Sequence, residues 1–160
     1  MTAGCIFARR CRLGAHSRVL GYTRGPAGPK RGAMLYTILC YHDEDFVWSW
    51  TKDEEAAVMG RLRKAQEKLI DRGVLGPSLR LMPTTAATTL RKSQDPPLVL
   101  DGPFAETKEQ LLGLYIIDVE NLEAALGVAR EFAAANPGGA YEIRPVALYK
   151  PDPRPSAGTG

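Results

Sequence analysis

The sequence predicts an α+β fold: a ferredoxin-like βαββαβ unit with an inserted β-hairpin, its two helices on one face of a four-stranded sheet. Three observations carry this prediction. Two amphipathic patterns of helical period lie over residues 52–72 and 122–135. Four apolar, strand-like runs flank them, at 35–41, 74–81, 111–119 and 141–149. Between the second and third runs, a Thr- and Pro-rich excursion pairs 84–91 with 98–100 across a turn. The resulting order, β-α-β-(hairpin)-β-α-β, is that of two βαβ halves.

Run 35–41 is short, apolar and turn-bounded, as a buried strand is, and the acidic cluster Asp43, Glu44 and Asp45 ends it. Thr51-Lys52-Asp53-Glu54 then reads as a capping box, with Asp53, Glu54 and Glu55 where the helix dipole favours negative charge. Val58, Leu62, Ala65 and Leu69 recur on one helical face, Ile70 widens it, and Gly73 is the expected C′ residue. Met82-Pro83 breaks the second strand, and the segment Ser93-Gln94-Asp95-Pro96-Pro97 is the hairpin turn. Run 111–119 is the most strand-like in the chain. Asn121 is a plausible N-cap for the second helix, whose apolar face carries Leu122, Ala125, Leu126, Ala129, Phe132 and Ala133. Asn136-Pro137-Gly138-Gly139 stops that helix before the last strand.

Two helices cover one face of a sheet, yet both faces here are apolar. Leu35, Leu39 and Tyr41 oppose Tyr36, Ile38 and Cys40, while Leu112, Leu114 and Ile116 oppose Tyr115, Ile117 and Val119. Tyr141, Ile143 and Ala147 oppose Val146 and Leu148 in the last run. An exposed apolar face marks an interface or a ligand cleft, and a homodimer stacked sheet on sheet is the economical way to cover it.

The chain of 160 residues carries one such domain, at 34–150, between a basic leader at 1–33 and a flexible Pro/Gly tail at 151–160. The leader holds seven basic side chains and no acidic one, leaving 14 basic against 18 acidic in the remainder, a net charge of −4. It reads as a disordered extension, as an Arg-rich targeting segment, or as the product of an upstream start, with Met34 directly before the first strand. The overall +3 comes from this leader, so the domain itself is not expected to bind nucleic acid. No apolar run is long enough to span a bilayer, so no membrane partner is expected and the location expected is cytoplasmic. Cys5, Cys11 and Cys40 are too few and too scattered for a disulfide framework or a zinc site. No phosphate-binding loop, dinucleotide fingerprint or hydrolase elbow occurs, and neither metal nor cofactor is expected.

The sharpest local feature is Asp101-Gly102-Pro103-Phe104, continued by Glu106 and Lys108. Gly-Pro forces a rigid redirection of the chain just after a strand. A carboxylate fixed there next to an aromatic suits acid/base work or ligand binding; the plainer reading is an Asx-turn in which Asp101 accepts backbone amides. His42, at the end of the first strand, is the domain's single histidine and is the candidate partner of Asp101 in a proton shuttle; a strand-end histidine that is simply exposed is the alternative. Cys40 reads as a small core residue. Tyr115 is a candidate ligand-facing hydroxyl or ordinary strand packing, and Trp48 and Trp50 either shield a pocket mouth or fasten the loop before the helix.

The segment from Asp101 to Glu109, with Gly113, Tyr115 and Ile117-Asp118-Val119, resembles the DGPF signature of the YCII-related domain family, and the resemblance runs over about 34–146. It implies a ferredoxin-like fold joined through its sheets as a dimeric α+β barrel, with a pocket near Asp101. Gly102, Pro103, Phe104, Glu106, Lys108 and Tyr115 are the residues expected to meet a small organic ligand there. Related proteins have been proposed as enzymes on the strength of a His-Asp pair in a cleft; Asp101 maps to that pair through the motif, and His42 is not part of the motif. The expected function is therefore a small dimer with a cleft for a small molecule and Asp101 as acid or base. The alternative is a non-catalytic regulatory or partner-binding module linked to sigma-factor-dependent transcription.

Overall fold

A computed structural model describes residues 34–150; the leader at 1–33 and the tail at 151–160 lie outside the described residues. Strand β1 (Met34–His42) leads into a short helix α1 (Glu44–Trp48) and then the long helix α2 (Lys52–Asp71). Strand β2 (Leu75–Arg80) follows, then a single 3-10 turn (Thr84–Ala86) and the hairpin of β3 (Thr88–Arg91) and β4 (Leu98–Asp101). Strand β5 (Gln110–Val119), helix α3 (Leu122–Ala135) and strand β6 (Ala140–Pro145) complete the domain. The main sheet has the order β2-β5-β1-β6 with every neighbour antiparallel. That order, with α2 and α3 packed on each other, is consistent with a ferredoxin-like α+β fold. No helix among the described residues is long and apolar enough to cross a membrane.

The caps fall where the sequence predicts. Glu54 N donates to Thr51 Oγ1 and Thr51 N donates to Glu54 Oε2, closing both halves of the capping box. Asn121 Oδ1 accepts from Ala124 N at 2.9 Å and starts α3. Gly73 leaves α2 at φ +69°, a left-handed conformation that glycine adopts without strain. Three elements differ from expectation. The hairpin's first strand begins at Thr88 and not at residue 84, because Thr84–Ala86 forms the 3-10 turn. The acidic cluster does more than end β1: Asp43 Oδ1 accepts from Phe46 N at 3.1 Å and caps α1, whose five residues are too few to show a period. The last strand stops at Pro145 instead of running to 149; Val146 N still donates to Leu35 O at 2.8 Å, and Leu148 beyond it is 74% exposed.

The core lies between one sheet face and the two long helices. Ile38, Leu69, Ile117, Val128 and Phe132 are fully buried there, and the Phe132 ring stacks on Tyr115 with centroids 4.1 Å apart. Arg61 Nε on α2 donates to the last-turn carbonyl of Ala135 on α3 at 3.0 Å, tying the helices together. On the opposite face, Leu39 pairs with Leu114 and Thr37 with Ile116, and Leu35 lies two positions along from Thr37. These side chains are half-buried, and Leu79 beside Leu114 is 50% exposed. The hairpin stands as a separate two-stranded sheet, its Thr88 opposite Asp101 and its Leu90 opposite Val99.

Candidate functional site

A cavity of about 380 Å³ opens on the helix-covered side of the sheet. The strands supply Cys40 from β1, Tyr115 from β5 and Tyr141 from β6; α2 supplies Met59, Leu62, Arg63 and Gln66. Val47 and Trp50 come from the α1–α2 segment, Ser78 and Arg80 from β2, and Asn136 and Gly138 from the turn after α3. Its size falls in the range of small-molecule sites, about 300–1,000 Å³.

Burial sets the protonation of the lining. It pushes the Cys40 thiol up to about 12. It also raises the phenols of Tyr115 and Tyr141 above their ordinary range, assisted by repulsion from the Cys40 thiolate, while Gln66 and Asn136 respectively pull them back. All three groups are therefore neutral at ordinary pH, and Cys40 is no ready nucleophile.

His42 also lines the cavity and is only 9% exposed. Its ring stacks on Phe46, centroids 5.3 Å apart and planes within 5°, and Nδ1 lies 3.3 Å from the Asp43 carbonyl oxygen. Nε2 is buried without a hydrogen-bond partner. The Gly138-Gly139 turn makes room for this ring. Gly138 has φ +95°, and a Cβ there would lie 2.7 Å from His42 Nε2; a Cβ on Gly139 would meet the ring and collide with the Tyr41 carbonyl. Asn136 Oδ1 is a second buried polar atom of the lining without a partner. Beside the cavity, Glu44 is buried: its Oε1 accepts from Thr84 N at 2.8 Å, and its own N–H donates to Gln110 Oε1 at 3.0 Å. Glu44 thus fastens α1 to the 3-10 turn and to the start of β5.

A family model, that of the YCII-related domain, matches residues 34–150, the whole of the described domain. The chain belongs to the YCII-related domain family. An uncharacterized protein of Rhizobium meliloti (strain 1021) is 55% identical over 124 residues, which is 77% of this chain and 100% of that protein.

Within this YCII-related domain, the residues singled out from sequence fall into two groups. His42 and Tyr115 line the cavity. Asp101, Gly102, Pro103, Phe104, Glu106 and Lys108 are not among its lining residues. Asp101 ends β4, exposed. The turn behind it is secured by Gly102, whose N–H donates to Ala87 O and whose carbonyl accepts from Thr89 Oγ1, both at 2.8 Å. Phe104 is 76% exposed, with the Arg91 guanidinium 5.8 Å from its ring centroid. The two tryptophans divide: Trp50 lines the cavity, whereas Trp48 lies under the Arg80 guanidinium at 5.0 Å. Sequence reasoning missed Arg63, Gln66 and Asn136. Gln66 carried a readable signal, since it falls on the buried line between Leu62 and Leu69 of α2, where a polar residue calls for a partner.

Proposed function

We propose that this protein binds a small organic molecule in the cavity between its sheet and α2, and that His42 handles a proton there. The observation that carries the reading is a buried imidazole with an unpartnered nitrogen on the wall of a 380 Å³ cavity. Buried polar groups without partners are rare and costly, and a ligand is the natural relief. An imidazole serves as general acid or base once a substrate atom comes within hydrogen-bond reach. The lining puts the weight on His42 over Asp101. In this reading the molecule belongs to the DGPF-motif subgroup, works in the cytoplasm, and pairs with a second copy through the open face around Leu39 and Leu114. Asp101 serves the chemistry only if the hairpin meets a cavity in that assembly.

The test is a thermal-shift screen of small organic molecules on the wild type, His42→Asn, Asp101→Asn and the blocked variant Met59→Trp, with circular dichroism to check folding. Hits should stabilise the wild type and Asp101→Asn, lose their effect in His42→Asn and Met59→Trp, and then be assayed for turnover. Hits indifferent to both cavity variants refute the reading. A second reading, a partner-docking module, draws on the apolar exposure of the hairpin at Leu90, Val99 and Phe104. It predicts a co-purifying protein that is lost when Val99 and Phe104 are both changed to serine.

A further inference from the structure

The charges around the cavity are one-sided. Acidic side chains outnumber basic ones over residues 34–160, 18 against 14. Yet no Asp or Glu lines the cavity, and two arginines do, Arg63 and Arg80. Arg80 is already engaged: its Nη1 lies 2.9 Å from Glu55 Oε1 and its guanidinium covers Trp48. Arg63 has no ion pair among the described residues. An unpaired guanidinium fork matches a carboxylate, with which it makes two parallel charge-assisted hydrogen bonds.

The rest of the lining sets the body of the ligand. Trp50, Met59, Leu62 and Leu112 offer apolar and aromatic contact. Tyr115 and Tyr141 stay protonated through burial, so they add donors and no negative charge. Among the lining residues, His42 Nε2 and Asn136 Oδ1 are the buried side-chain atoms that lack a partner. We infer that the cavity takes a small organic acid: one carboxylate held by Arg63, on a compact unsaturated or aromatic body with a polar substituent for His42 and Asn136. This rests on the cavity reading above and goes further by naming the chemical class.

Two isosteric probes and a cationic counterpart test it by calorimetric titration of the full chain: 4-hydroxybenzoate, 4-hydroxybenzamide and 4-hydroxybenzylamine. The acid should bind about tenfold more tightly than the amide, as a charge-assisted hydrogen bond implies, and the amine should not bind. Arg63→Gln should bring the acid to the level of the amide, and Arg63→Lys should recover part of the difference. Added salt should weaken the acid and spare the amide, because Arg63 is exposed. Equal affinity for acid and amide, or an acid indifferent to Arg63→Gln, overturns the inference. If acid and amide bind equally and both are lost in Met59→Trp or Ser78→Phe, the cavity reading stands and the acid preference alone falls. If the acid binds unchanged in both blocked variants, its assignment to this cavity is wrong. If no probe binds, the inference is overturned, and the wider thermal-shift screen judges the cavity separately.

Discussion

Cys40 shows how one side chain can set the behaviour of its surroundings. Folding keeps its thiol protonated up to about pH 12, whereas an unfolded chain ionises it near the ordinary value of 9.0. Between those values the unfolded state binds fewer protons, so stability falls as pH rises through that window and is fully present below it. Tyr115 and Tyr141 act in the same direction from their ordinary value of 10.0. Urea unfolding should therefore give a stability about 1 kcal/mol lower at pH 10 than at pH 7.5 from the thiol alone. Cys40→Ala should show a shallower decline. A stability independent of pH up to 10.5, or an equal decline in the variant, would contradict this account. The same residue marks what was only partly legible: the apolar strand reads as placing Cys40 in the core, whereas it is half-buried on the cavity wall. The imidazole two residues on was legible as a candidate, but its burial was not, because that depends on a glycine pair about a hundred residues downstream.

At the scale of elements, local chemistry was the most readable. The capping box of α2 is formed as its four residues imply, and the Glu54 carboxyl is held below the usual range by the Thr51 amide first and the Thr51 hydroxyl second. Thr51→Ala should cost about 1 kcal/mol of global stability, seen as a lower urea midpoint, while Thr51→Ser should cost much less. A midpoint unchanged in Thr51→Ala would mean that the start of α2 is held by packing alone. The missed element, α1, is set by one Asp43 side chain and by the buried Glu44 that anchors it, neither of which leaves a periodic trace. Arg63 was missed for a related reason: on an amphipathic helix an arginine beside the apolar stripe looks the same whether it faces water or a cavity mouth.

For the molecule as a whole, strand order and the separate hairpin follow from the order of elements, while the position of the cavity does not. Both faces of the sheet read as apolar, and only the packing of α2 against β2 and of α3 against β5 and β6 decides which face encloses a hollow. The face left outside bears on assembly. Leu39, Leu114 and Ile116 lie side by side on it, with Leu79 at its edge. Light scattering should find a particle of twice the 17.4 kDa chain mass, and Leu114→Glu should halve it while leaving the circular dichroism spectrum intact. A wild type that stays at the single-chain mass rules out the pairing.

The alternation along β1 has a consequence for how this protein tolerates change. Leu39 and Cys40 are neighbours in the chain and lie on opposite sides of a layer one residue thick. Substitutions from Leu35 to Cys40 should therefore alternate between the open face and the cavity side, whereas past the bulge that follows Cys40 the consecutive residues Tyr41 and His42 both line the cavity. The two sides meet at Leu79, which borders the open face and also lines the cavity, so a change there should touch both at once.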